Sequence, residues 1–372
     1  MAKKVLITGG AGFVGAHVSN ELLSKGYEVR ALDSLHPQVH GRQEHRPDYL
    51  NKEVELVIGD VRDPRAIQSC LNGVDAVYHF ASLVGVGQSM YEVERYTSVN
   101  NVGTAVLLEA LIKRPVEKLI LASSMSIYGE GLYQNSRGEV RGAADRTLEQ
   151  LKAGDWEVCD ECGDALTPLP TPEWKNPSLA SVYALSKFDQ ERMCLMVARS
   201  YGFAATALRF FNIYGPYQAL SNPYTGVLAI FASRLLNGKA PLVNEDGNQL
   251  RDFVSVYDIA RAARLALEVE AANGETFNIA SGVQISIAEL ACRAIQALGV
   301  TGIQPEITGK YRVGDIRHCF ADIGKARRLL GFEPEVNFER GLVDLAEWLK
   351  GQIAHDRVQE SRAELARRGL MV

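Results

Sequence analysis

Three groups of residues in this chain could carry chemistry. Tyr183-Ala184-Leu185-Ser186-Lys187 sets a phenol and an ammonium four positions apart, a spacing that a helix turns onto one face. A free tyrosine, with a pKa of ~10, is a poor base at neutral pH. A neighbouring cation favours its phenolate and tunes it towards working pH. Ser123-Ser124-Met125-Ser126 follows an apolar run at 118–122. A hydroxyl at that strand end, Ser124, can hydrogen-bond the same oxygen that Tyr183 deprotonates. The third group is Val5-Leu6-Ile7-Thr8-Gly9-Gly10-Ala11-Gly12-Phe13-Val14-Gly15, which reads as a strand, a glycine-rich turn and a helix start. Missing side chains let such a backbone approach a pyrophosphate, which then rests on the positive end of the helix.

Other residues extend that last reading. Asp33 closes the next strand, about twenty residues on. A carboxylate there accepts from ribose hydroxyls and repels a 2′-phosphate, which favours NAD over NADP. Asp60 and Val61 would meet adenine. Phe80, Ala81 and Ser82 put small groups where the backbone must pass close to the cofactor.

The elements that must position these groups follow from the apolar pattern. Runs at 5–7, 29–32, 54–58, 76–80 and 118–122 read as buried strands, and helical spacing at 16–25 and 104–112 lies between them. This alternation predicts an α/β fold, a Rossmann-type doubly wound parallel sheet, with a smaller mixed α/β C-terminal substrate domain. The expected cofactor domain is 1–190, also receiving segments near 205–215 and 228–263. The expected substrate domain comprises 216–227 and 264–350. Residues 351–372 read as a charged tail, an exposed helix or a frayed end. Residues 130–180 break the rhythm as an acidic, Pro-rich insertion, with ten acids against five bases over 130–175. Long loops of this kind are functional lids or insertions.

Composition removes other classes. A net charge of −5 over 372 residues gives no general attraction to nucleic acid or anionic lipid. No apolar run approaches the ~18–20 residues of a membrane span, and the first strand begins too early for a signal peptide. Six dispersed cysteines are not a disulfide scaffold, so a reducing cytoplasm is expected. Cys159 and Cys162 form a lone C-x-x-C inside the insertion. Tetrahedral zinc needs four ligands, so a metal here would borrow ligands or share a site between subunits. A redox pair or a plain turn needs nothing more.

On these residues the chain resembles the extended short-chain dehydrogenase/reductase family, and within it the nucleotide-sugar epimerases and dehydratases of the UDP-galactose 4-epimerase type. The likeness covers 3–350 with the insertion set aside. It implies that Tyr183 is the catalytic base, that Lys187 lowers its pKa and holds the nicotinamide ribose, and that Ser124 is the hydroxyl partner. Asn100 matches the family's cofactor asparagine. Phe210, within Arg209-Phe210-Phe211-Asn212, matches the segment lining the nicotinamide. The resemblance assigns Arg251 and Arg312 to a substrate diphosphate, Asp315 to the nucleoside ribose, and Asn212 and Ser126 to the same half of the site. Guanidinium forks suit phosphate oxygens. Cys319 falls where the family gates pocket size, and a small thiol there implies room for a bulkier sugar; a buried structural cysteine is the other reading.

The likeness also narrows the reaction. Family 4,6-dehydratases carry an Asp-Glu pair where this chain has Met125-Ser126, decarboxylases keep the glutamate, and 3,5-epimerases place a cysteine at the Ser126 position. None is present, which leaves reversible oxidation at one carbinol. The implied activity is a 4-epimerase with tightly bound NAD, acting on a nucleoside-diphosphate sugar through a 4-keto intermediate. The insertion and the tail around Ala363-Glu364-Leu365-Ala366-Arg367-Arg368 resemble a bacterial subgroup assigned as dTDP-L-rhamnose 4-epimerases; a UDP-hexose is the other candidate. Net dehydrogenation or reduction of a nucleotide sugar, and a non-catalytic NAD-binding regulator, are the competing readings. Helices near 97–113 and 181–201 resemble the family's homodimer bundle.

Overall fold

The computed structural model describes residues 2–41, 45–142 and 145–371. Seven short strands form one sheet: β1 (Lys4–Thr8), β2 (Glu28–Asp33), β3 (Glu55–Ile58), β4 (Ala76–His79), β5 (Lys118–Ser124), β6 (Ala204–Phe210) and β7 (Thr276–Ile279). Their order is β7-β6-β5-β4-β1-β2-β3, and every pair is parallel. A parallel sheet covered on both faces selects unbroken apolar runs, and Val5, Leu6 and Ile7 at its centre are wholly buried. The chain runs outward from β1 to β2 and β3, then returns to β4 on the other side. Between β1 and β4 the winding reverses, and a crevice opens beyond the carboxyl ends of the strands.

Eight helices of ten or more residues are described: α1 (Phe13–Ser24), α2 (Gly103–Lys113), α3 (Val182–Tyr201), α4 (Val227–Leu236), α5 (Val256–Glu268), α6 (Ile287–Ala297), α7 (Phe338–Leu349) and α8 (Val358–Arg367). On one face of the sheet, Val18 and Leu22 of α1 pack with Ile259 and Ala263 of α5. On the other, Leu107 and Leu111 of α2 pack with Cys194 and Ala198 of α3. A smaller mixed sheet is made of Asn212–Tyr214, Leu250–Ser255, Gln284–Ser286 and His318–Cys319. Its core joins Phe253 to Phe231 of α4, Leu290 of α6 and Leu345 of α7. No helix among the described residues is long and apolar enough to cross a membrane.

Three features depart from the sequence expectation. Strand β7 lies inside the stretch assigned to the substrate domain, yet it is the edge of the large sheet. Only four residues long, with Phe277 and Ile279 buried, it offers too short an apolar run to place from spacing alone. The insertion is also more ordered than a loop. Leu132–Gln134, Val140–Arg141 and Thr167–Leu169 form an antiparallel sheet, docked by buried ions. Arg317 is wholly buried and donates to Asp246 at 2.6 Å, to Glu245 at 3.0 Å and to Glu157 of the insertion at 2.9 Å. Arg146 of the insertion donates to Glu245 at 2.9 Å. Buried cations persist only with such partners, so part of the acidic surplus is structural.

The charged tail is neither frayed nor a free helix. Val358, Ser361 and Leu365 give α8 a buried stripe, and beyond it the Val313 N–H donates to the Leu370 carbonyl at 2.9 Å. Leu365 packs where Gly87 leaves room: a Cβ on that glycine would lie 3.2 Å from its methyl. Two apolar residues in a run of charges hide such a stripe from the sequence.

Candidate active site

A cavity of about 940 Å³ runs along the carboxyl ends of β1, β4 and β5, from Asp33 and Asp60 past Ser124, Tyr183 and Lys187 to Asn212, Arg251 and Arg312. Its floor is the glycine turn. Gly9 has φ +71°, and a Cβ on it would stand 2.8 Å from the Ala81 nitrogen. A Cβ on Gly15 would stand 2.4 Å from the Gly9 carbonyl oxygen. No side chain caps α1 at Gly12. The leading N–H groups at Phe13, Val14 and Gly15, all on the cavity wall, are therefore left for an anion.

The rest of the expected cofactor wall is present. Asp33 accepts from the Ala11 N–H at 3.0 Å and the Leu35 N–H at 2.9 Å, with His40 Nε2 at 3.6 Å. The Arg62 guanidinium beside Asp60 holds its carboxyl below the usual range. Val61, Phe80, Ala81, Ser82 and Phe210 line the cavity. Asn100 lies behind the wall instead. Within a π-helical turn, Thr97–Val102, its amide donates to the Leu83 carbonyl at 3.2 Å and to Ser186 at 2.9 Å, and its oxygen accepts from the Leu83 N–H at 2.7 Å. It ties the loop after β4 to α3. A cradle crowded against any Cβ, uncapped N–H groups and a carboxylate at the β2 end together fit a dinucleotide.

Local chemistry sets the candidate trio of Tyr183, Lys187 and Ser124. Ser181 caps α3, accepting from the Ala184 N–H at 3.1 Å, and Gly202 ends it in the left-handed conformation. Between them the buried face is largely polar: Tyr183, Ser186, Lys187, Gln190 and Glu191. Tyr183 and Lys187 both reach the cavity, and the Tyr183 N–H donates to Ser89 at 3.0 Å. Burial pushes the Tyr183 phenol up, and the Ser124 hydroxyl opposes that shift. Burial carries the Lys187 ammonium down to about 8, against the pull of Cys194 and Glu191. Ser124 Oγ accepts from the Ser126 N–H at 3.1 Å and lies 2.9 Å from Ser126 Oγ.

Two polar networks brace this shelf. His79 sits between Thr8 and Thr104, 2.8 Å from each hydroxyl, and burial lowers its pKa to about 3. Glu191 accepts from Ser123 at 2.6 Å and from Arg209 at 2.6 and 3.0 Å.

On the substrate side the assignments divide. Asn212 Oδ1 and Arg312 Nε are buried without a protein partner among the described residues, as are Gln218 Oε1 and Gln249 Oε1, and all four residues line the cavity. Buried polar atoms are rarely left so, and a polar ligand would satisfy them. Arg312 also pairs with Asp315. Arg251 lines the cavity and gives three of its five donors to the carbonyls of Leu250, Ile316 and Arg317 at 2.6–2.9 Å. Cys319 is not on the cavity wall. It packs with Met125, Ile127 and Tyr128, its thiol pushed up to about 12 by burial, the structural reading of that residue. Sequence reasoning passes over Gln218 and Gln249, because a lone glutamine carries no spacing signal.

Cys159 and Cys162 are free thiols, the first half-buried and the second exposed. The turn between them is held by Asp160, which accepts from the N–H groups of Cys162 and Asp164 at 2.9 and 3.0 Å. No group of three or more His, Cys, Asp or Glu among the described residues is placed to hold a metal. The zinc expectation thus finds no further ligands, and an aspartate-braced turn accounts for the segment.

Comparison with known proteins agrees with this geometry. A model described as the NAD dependent epimerase/dehydratase family matches residues 5–145 and 162–280, leaving out a stretch of the insertion. A dTDP-L-rhamnose 4-epimerase of Burkholderia thailandensis is 36% identical over 358 residues, 94% of this chain and 96% of that protein. The crystal structure of a UDP-glucose 4-epimerase of Thermotoga maritima with UDP-glucose superposes with a TM-score of 0.75 at 30% identity, covering 93% of this chain and 98% of that one. A UDP-glucose 4-epimerase of Thermus thermophilus in complex with NAD gives 0.75 at 28% identity, over 94% and 100%.

Proposed function

The chain belongs to the NAD dependent epimerase/dehydratase family, and we propose on that footing that it inverts C4 of a nucleoside-diphosphate sugar. One observation carries the reading: a single cavity joins the glycine cradle, the Tyr183–Ser124–Lys187 trio and a second half lined with unpartnered polar atoms. The cradle at Gly9–Gly15, Asp33 and Lys187 would hold NAD, which supplies a reversible hydride acceptor.

The chain's own part is proton work and positioning. Tyr183 takes the proton of the C4 hydroxyl and later returns it. Ser124 hydrogen-bonds the same oxygen and fixes its distance to the phenol. Lys187 stabilises the phenolate by charge. Asn212, Gln218 and Arg312 anchor the nucleotide, so binding energy is concentrated away from the hexose, which must turn over between the two hydride steps. Met125 and Ser126 offer no carboxylate at the trio, which leaves elimination without its acid and base. By likeness to the Burkholderia protein the substrate is dTDP-L-rhamnose, with a UDP-hexose as the second choice. Val102, Leu185 and Met196 are exposed apolar residues at α2 and α3, which supports a homodimer through those helices. Six unpaired cysteines suit a reducing cytoplasm.

Incubation with dTDP-, UDP- and GDP-sugars in D2O, read by NMR, tests the proposal. The expected product is the C4 epimer of one of them, with no deuterium at C4. Tyr183→Phe is expected to abolish turnover while nucleotide binding persists. Deuterium at C4, or a sustained rise in NADH absorbance, would overturn the reading.

A further inference from the structure

Three non-glycine residues among the described residues hold a left-handed backbone: Leu35 at φ +48°, Tyr217 at +72° and Glu245 at +52°. Strain of this kind persists only where the surroundings over-determine it, and it gathers at clamps on ligands. Glu245 belongs to the buried ion cluster around Arg317. Leu35 and Tyr217 stand in two segments that meet at the cofactor end of the cavity. In the first, His36, Val39 and His40 line the wall beside Asp33, and Leu35 is fixed in the core of the large sheet. The second runs over 216–224. Its Gln218, Asn222 and Tyr224 line the same cavity, while Leu220 is fixed in the core of the smaller sheet.

Two sets of contacts join these segments. The Tyr217 ring lies between those of His17 in α1 and Tyr49, with centroids 4.9 and 4.8 Å away and planes 16° and 12° from parallel. Trp348 of α7 meets it edge-on at 6.2 Å. Behind the stack is the glycine turn. Tyr49 Oη donates to the Ala11 carbonyl at 2.7 Å, and Phe13 meets His17 edge-on at 5.8 Å. The second set is polar: Gln38 Nε2 donates to Asn222 Oδ1 at 3.0 Å and to Gln88 Oε1 at 2.9 Å. Neither Tyr49 nor Tyr217 is on the cavity wall, so these rings act on a ligand only through the turn they hold.

We propose that Tyr217 is a positioning residue for the cofactor. Its stack between His17 and Tyr49, with the Gln38–Asn222 hydrogen bond beside it, clasps the substrate half onto the glycine turn and slows the departure of NAD. This rests on the NAD-dependent reading above and adds to it a residue that does not touch the ligand.

The test is the rate at which NAD leaves the purified holoenzyme, followed by exchange with an excess of isotopically labelled NAD. Tyr217→Asn removes the ring and keeps a residue that tolerates the left-handed backbone. Loss of two stacked pairs is expected to speed release by about 5–150-fold. Tyr217→Phe keeps both stacks and should release NAD at the wild-type rate. Gln38→Ala, at a half-buried position outside the stack, guards against a folding defect in the ring variant and should speed release by about 2–10-fold. A ring that served folding alone would lower the unfolding midpoint of Tyr217→Asn and leave release unchanged, which overturns the clasp and spares the epimerase reading. Fast release from Tyr217→Phe would move the effect to the hydroxyl and overturn the stack. Should Tyr217→Asn not fold, wild-type release from Gln38→Ala overturns the clasp. A wild type that neither carries nor binds NAD overturns the epimerase reading and this inference with it.

Discussion

Lys187→Met is expected to make the nucleotide-free protein more stable and the enzyme far slower. Lys187 is buried, and its pKa falls from the ordinary 10.5 to about 8. At about 1.4 kcal/mol per pH unit, holding the charged form in the fold costs about 3 kcal/mol. Methionine has a similar length, no charge and a flexible stem that fills the same channel. An unfolding entropy of about 2.1 cal/mol/K per residue converts the relief into a rise of about 4 °C in Tm. Turnover should fall by about 10²–10⁴, the usual worth of a tuned acid–base group.

The pH dependence gives a second reading. Below about pH 8, folded and unfolded chains both carry the Lys187 proton, and the burial cost is felt in full. Between 8 and 10.5 the folded chain releases it while the unfolded chain keeps it, so wild-type stability gains with rising pH. The advantage of Lys187→Met should therefore be largest at pH 7 and nearly gone by pH 10. Thermal melts of both proteins across that range measure it. A variant less stable than wild type at pH 7, or a gap independent of pH, would refute the assignment of Lys187 as a buried, functionally retained cation.

Two substitutions probe the surroundings. Gly15→Ala puts a methyl 2.4 Å from the Gly9 oxygen and 2.7 Å from the Gly10 Cα; the forced turn should cost about 1–3 kcal/mol and leave the purified protein without NAD, whereas wild-type NAD content in this variant would refute the cradle. Glu191→Gln leaves the buried Arg209 guanidinium short of its counter-charge and should lower unfolding free energy by about 3–5 kcal/mol, read as a shift in the urea midpoint.

What the sequence disclosed follows from range. Strands β1, β2, β4 and β5 are apolar runs that need no partner to be recognised. Helix α3 is marked by Ser181 and Gly202 at its ends, although its buried face is polar and its amphipathic signal faint. Tyr183, Lys187, Ser124 and the glycine turn are local patterns, so they could be placed together before any contact was known. Arg317, Arg146 and Glu245 could not, because a buried ion cluster assembled from distant segments looks in sequence like ordinary surface charge. The same holds for α8: Val358 and Leu365 become core only because Gly87, more than 270 residues earlier, makes space. Asn100 and Cys319 show the complementary difficulty, in which a local pattern marks the residue and its depth behind the wall is invisible.

The weave of the two sheets has a practical consequence. After β6 the chain enters the smaller sheet at Asn212–Tyr214, goes back to the large one through α5 and β7, and leaves it again for Gln284–Ser286. A helix at Gly324–Leu330 then packs Ala326 and Leu330 into the core of the large sheet before α7 rejoins the smaller half, so five covalent tethers run between the halves and no single cut separates them. A chimera that borrowed the sugar-recognising half from a relative would need five matched junctions. By the same constraint, any opening of the crevice must bend all of these crossings together.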